Sequence, residues 1–145
     1  MDDGIDIVDW VHFEKSRAEL GTGFIRILGY FREDGAKSVA QVEAAMREQN
    51  TVALVIPAHT LKGEARQFGA EPLAARAELI EQVARSCIET HRFPDELVPD
   101  VVELRRLWNE TIDLFDRATN PRLTRAAPNS GGFGKRVANQ GFGRI

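Results

Sequence analysis

With Cys87 as its only cysteine, the chain cannot form an internal disulfide, which agrees with a reducing compartment. No apolar run reaches the length of a membrane-spanning helix. The opening Met1-Asp2-Asp3 has the wrong sign of charge for the basic start of a secretory leader, so the cytoplasm is the expected location. Of the three histidines, neither His12 nor His91 has a second histidine or cysteine at metal-ligand spacing, and no metal site is expected. A Gly-x-x-x-x-Gly-Lys-Ser/Thr phosphate loop is missing, and with it any expectation of an ATP site. Strand-like alternation is missing too.

A hydrophobic share of 43% and a charged share of 28% describe a globular domain. The formal net charge of -3 gives no reason to expect nucleic acid. That average conceals an asymmetry. From Arg122 onward there are five basic residues (Arg122, Arg125, Lys135, Arg136 and Arg144) and no acidic ones, which leaves 14 basic against 22 acidic side chains before them. The last 25 residues also hold five of the twelve glycines and two of the six prolines. Residues 121–145 are therefore expected to form a flexible, Gly-rich basic tail, and residues 1–120 a folded domain. Gly132-Phe133-Gly134-Lys135 and Gly141-Phe142-Gly143-Arg144 echo one another within that tail.

Apolar periodicity makes the domain all-α. Asp9 caps a short first helix to about Leu20, with Trp10 and Phe13 inward, and Gly21-Thr22-Gly23 turns the chain. A long second helix carries Phe24, Leu28, Phe31, Val39, Val42 and Met46, and Gly35 is expected to kink or split it. Asn50-Thr51 opens a third helix with Leu54, Ala58, Leu61, Ala65 and Phe68 on one side. After Gly69, Glu71-Pro72 starts a fourth with Leu73, Ala77, Ile80, Ala84 and Cys87, where Cys87 reads as a small core residue. A break at His91–Pro94 precedes a last helix with Val101, Leu104, Trp108, Thr111 and Phe115. Short turns between long amphipathic helices predict an antiparallel four-helix bundle with a short extra N-terminal helix. Pairs such as Glu43 with Arg47 read as solvated surface.

The chemistry concentrates in Ala58-His59-Thr60-Leu61-Lys62-Gly63, with Gly69 six residues after Gly63. On a helical wheel, Leu61, Ala65 and Phe68 face away from His59, while Lys62, Gly63 and Arg66 share its outward side. Histidine, with a reference pKa of about 6.5, is in good part neutral at pH 7 and offers a ring nitrogen for attack. An ammonium at i+3 attracts incoming phosphoryl oxygens. Gly63 removes bulk where another protein's active site must approach. Phosphoryl transfer depends mostly on positioning and charge, so one nucleophile and one cation form a half-site that a partner completes. Pro57, inside the same helix, is expected to loosen the turn before His59.

His59-Thr60-Leu61-Lys62-Gly63 followed by Gly69 closely resembles the signature of histidine-containing phosphotransfer (HPt) domains, and helix order over about residues 9–118 matches that family. The resemblance implies a phosphocarrier without kinase activity, with His59 as phosphoacceptor through Nε2 and Lys62 stabilising the phosphoryl group. Gly63 and Gly69 would permit docking of receiver domains, from response regulators or a hybrid histidine kinase. The receiver would bring the aspartate and the Mg²⁺ ion, and this chain, a monomer, would hold no cofactor. Glu64 and Arg66 stand where many members have small or uncharged residues, and both are expected to take part in choosing the partner. The family often places a glutamine on the following helix near the ring; counting along reaches Glu81, with Gln82 beside it, and leaves that role open. A rival reading is an interaction module that binds receivers or other partners without carrying phosphate.

Overall fold

The computed structural model describes residues 6–120; the expected tail, 121–145, lies outside the described residues. Among the described residues five α-helices follow one another: α1 (Trp10–Leu20), α2 (Phe24–Arg47), α3 (Thr51–Gln67), α4 (Glu71–Glu89) and α5 (Val98–Thr119). One-turn 3₁₀ segments at Gly21–Gly23 and Asp95–Leu97 lead into α2 and α5. There is no strand among the described residues. The architecture is the expected antiparallel four-helix bundle, α2–α5, with α1 added before it. No helix among the described residues is long and apolar enough to cross a membrane.

The chain divides into two compact units after Ile112. In the first, local signals set the helix ends. The Asp9 carboxylate accepts from His12 N–H at 3.2 Å, and the Asn50 side chain accepts from Ala53 N–H at 3.1 Å, each satisfying an otherwise orphaned donor. The α3 stripe Leu54, Ala58, Leu61, Ala65 and Phe68 is buried, as is the α4 stripe Leu73, Ala77, Ile80, Ala84 and Cys87. α3 packs against both α2 and α4. A relay of aromatic rings ties the elements together: Phe13–Phe24 at 5.3 Å between centroids, Phe24–Phe68 at 5.9 Å, Phe68–Phe31 at 5.4 Å and Phe31–Trp108 at 5.2 Å. Ion pairs fix α5 from two sides, Arg76 to Asp100 at 2.6 Å and Arg105 to Glu43 at 2.8 Å. In the second unit, the described residues 113–120 close α5, where the Thr119 hydroxyl donates to the Phe115 carbonyl at 2.8 Å.

Two expectations are corrected here. α2 runs unbroken through Gly35, because the glycine is buried under the indole of Trp108; a Cβ there would overlap the ring. Close packing, and not a bend, explains that glycine. Glu43 is also no idle surface group beside Arg47. Its carboxylate takes two hydrogen bonds from Arg105, at 2.8 and 2.9 Å, which hold its pKa below the ordinary value.

Candidate functional site

His59 projects from the middle of α3 with 55% of its side chain exposed. The buried stripe on the opposite side of the helix forces this orientation: once Ala58, Leu61 and Ala65 face the core, position 59 points outward. The ring is nevertheless held. Its Nδ1 lies 2.9 Å from Oε2 of Glu81 on α4. Glu81 sits beside the α4 stripe, one turn after Ala77 and one before Ala84, and is only 5% exposed. Gln82 is exposed and leans toward Glu78, so the role that counting along the sequence left open falls to Glu81.

Three groups converge on that one carboxylate. Besides His59, the Lys62 ammonium lies 2.9 Å from Oε1, and the Arg85 guanidinium donates to Oε2 through Nε at 3.0 Å. Burial pushes the Glu81 pKa up, but the bonds from Lys62, Arg85 and His59 prevail and bring it down to about 2. Glu81 is therefore ionised at neutral pH. Its demand on Nδ1 selects the tautomer that carries the proton there, which leaves the Nε2 lone pair directed outward. Lys62 does not stand open beside the ring as the wheel suggested; it is half of an ion pair, with 21% of its side chain exposed.

The other expected site residues fall into two groups. Gly63 is exposed, and a Cβ added there would meet no atom within 4 Å, so open space lies beside His59. Ile56 and Val52, one and two turns before His59 on α3, are exposed apolar residues of that helix. Gly69 is placed differently. It is buried with φ +82°, its carbonyl accepts from Asp9 N–H at 2.8 Å, and a Cβ there would come within 2.7 Å of the Asp9 carbonyl oxygen. The close approach that Gly69 permits is to the start of α1 of its own chain, which corrects its expected role in docking.

Arg66 is bound within the chain, to Glu71 at 3.1 Å and Glu78 at 2.8 Å. Glu64 is half-buried, with Oε1 shielded from solvent and without a hydrogen-bond partner; burial and the nearby Asp34 raise its pKa. Pro57 is buried, and α3 stays a single helix across it, although the Ala53 carbonyl loses its helical donor. Among the described residues, no group of three His, Cys, Asp or Glu side chains gathers as a metal site.

A helical bundle that presents one held histidine, with cations beside it and cleared space next to it, is the layout of a carrier module whose reaction is completed by a second protein. The Hpt domain model matches residues 26–117, more than half of the chain, and the chain belongs to the Hpt domain family. Members of this family are phosphocarrier modules of phosphorelays and interact with receiver domains. α1 precedes the matched region. The fold is similar to that of histidine-containing phosphotransfer protein B (HptB) from Pseudomonas aeruginosa PAO1, with a TM-score of 0.68 and 20% identity over 79% of this chain and 96% of that one. No curated protein sequence matches the chain.

The sequence pointed to Glu81 with its role left open, and Arg85 was missed as a member of the site. A signal existed: a glutamate at the edge of an otherwise apolar stripe needs cations to offset its burial, and Arg85 lies at i+4 on the same helix.

Proposed function

We propose that His59 accepts a phosphoryl group from the aspartyl phosphate of one receiver domain and passes it to the aspartate of another. The observation that carries this reading is the Nδ1–Glu81 contact on a ring that is 55% exposed, because it frees Nε2 toward solvent and a docking partner. The Nε2 lone pair forms the P–N bond while the P–O bond to the receiver's carboxylate breaks, and its electron pair leaves with that carboxylate. Nδ1 keeps its proton, so the ring gains positive charge as the bond forms. The Glu81 carboxylate stabilises that charge from 2.9 Å away. Return transfer to the next aspartate reverses these changes.

Lys62 would turn from Glu81 toward the phosphoryl oxygens, and Gly63 with its open surroundings would admit the receiver. The receiver would supply the Mg²⁺ ion and the aspartate, while this chain, a cytoplasmic monomer in this reading, would contribute nucleophile and cations. Glu64 and Arg66 would border the docked surface and bias the choice of receiver.

The test is incubation with a phosphorylated receiver and Mg²⁺. Acid-labile, base-stable label should appear on the protein and vanish in His59→Gln; Lys62→Ala should slow its appearance by about tenfold or more while the fold persists. Stable binding to the receiver with no label on the wild-type chain would refute phosphate carriage and leave an interaction module.

A further inference from the structure

The α3–α4 groove that seats His59 continues past it. Val52 stands two turns before His59 on α3, and Ile88 stands two turns after Glu81 on α4. Both line a cleft of about 580 Å³, which the turn after α2 and the loop after α4 complete. Phe93 adds a third apolar wall, and Val52 is 65% exposed. The Thr51 hydroxyl donates to the Arg92 carbonyl at 3.2 Å, tying the start of α3 to the loop after α4.

Gln49 and His91 also line this cleft. They are the only residues other than glycine with positive φ among the described residues, at 54° and 55°. Each follows the end of a helix, α2 or α4, where the next residue's N–H bonds back to close the turn: Asn50 to the Ala45 carbonyl at 2.9 Å, Arg92 to the Cys87 carbonyl at 3.0 Å. Glycine commonly fills that position, because a Cβ is strained in this conformation. Neither side chain offsets the strain inside the fold: both are exposed, and neither bonds another group among the described residues.

Resting on the phosphoacceptor reading of His59, we infer that this cleft is a second contact for the receiver: an apolar side chain of the docked domain enters between Val52, Ile88 and Phe93, and Gln49 and His91 bond polar groups around it. The reach is sufficient. Seven helical residues rise about 10 Å, so the cleft begins about 10 Å along the groove from His59. Even a transient interface covers roughly 600 Å² of each partner, a patch about 28 Å across, and one centred on His59 extends over Val52 and Ile88. A contact outside the chain then accounts for two strained side chains that have no partner within it.

Phosphoramidate separates the chemistry from docking: its P–N bond breaks, ammonia leaves with the electron pair, and Nε2 takes the phosphoryl group. The paired substitution Gln49→Gly with His91→Gly should raise the midpoint of thermal unfolding by about 3 °C or more and label with phosphoramidate at the wild-type rate. Transfer from a phosphorylated receiver with Mg²⁺ should fall about tenfold in kcat/KM, mainly through a higher KM. Val52→Glu, which puts a charge into the apolar part of the cleft, should slow receiver transfer by a similar factor.

Receiver transfer at the wild-type rate in either variant would leave the cleft to another occupant and overturns the inference. An equal fall with phosphoramidate also overturns it, since the effect would then lie on the histidine and not on docking. So does a lower midpoint in the paired variant, which would show that the fold itself uses the two side chains. A wild-type chain that takes no label on His59 overturns the phosphoacceptor reading, and this inference with it.

Discussion

Glu81→Gln tests the electrostatics of the site without a receiver. In the folded chain the Glu81 carboxyl is held at about 2, down from the ordinary 4.5. At about 1.4 kcal/mol per pKa unit, the interactions of the ionised form are worth about 3 kcal/mol. With 6% of the side chain exposed, solvent screening takes little of this away. Because the folded pKa lies below the unfolded one, the contribution is complete above about pH 4.5 and is lost as pH falls toward about 2. The amide of the variant would keep an acceptor for one donor but carry no titrating charge, so about 3 kcal/mol is the upper limit on the gap between the two proteins at pH 7. By about pH 3 the gap should narrow by about 2 kcal/mol. Urea unfolding of both proteins between pH 7 and pH 3 measures this. Glu43 and Glu103, whose pKa values are also lowered by arginine partners and do not feel Glu81, are common to both and cancel in the difference. A gap that stays constant with pH would show that Glu81 is not held ionised by His59, Lys62 and Arg85.

Gly35→Ala should destabilise the chain by about 1–3 kcal/mol, because the displaced Trp108 ring outweighs a helix-propensity gain of at most about 1 kcal/mol; thermal unfolding reads the sign. Gly63→Ala should do the reverse and stabilise by up to about 1 kcal/mol, since no atom lies within 4 Å of the added Cβ. Gly63→Leu should fold as well, label with phosphoramidate at the wild-type rate, and take phosphate from a receiver about tenfold more slowly or worse, because only docking is obstructed.

Where the sequence is legible, one physical rule dominates. Asp9 and Asn50 cap helices as their side-chain chemistry requires, and the stripes of α3 and α4 are buried residue for residue, because amphipathic spacing responds to a single demand, removal from water. His59 faces outward for the same reason. What escapes are relations between helices. Propensity alone makes Gly35 a bend, whereas the reason for it is an indole 73 residues away in sequence. The motif alone makes Gly69 docking space, whereas its positive φ and the Asp9 carbonyl oxygen require a glycine inside the chain. Lys62 looks like a free cation in sequence because its partner is on another helix. A wheel shows one helix at a time, and the carboxylate that organises this site stands on the next one.

α3 itself shows how the bundle sustains such a site. It includes a proline at 57 and an exposed glycine at 63, both poor choices for a helix interior, and in isolation such a segment would hardly be helical. Its helicity comes from burial between α2 and α4, where Leu54, Val55, Ala58, Leu61 and Ala65 lose nearly all contact with water. That tertiary support lets the outward side break local rules. A residue at 63 chosen for helix stability would have a side chain, and in the docking proposed above that side chain would stand where the receiver approaches His59. On that proposal the glycine gives up a few tenths to about 1 kcal/mol of stability for access, and the packed side of α3 offsets the loss. This explains why substitutions at 63 should separate the two properties: the variant that folds more firmly should be no better at exchange, and the bulkier one should be worse at exchange while its imidazole remains as reactive as before.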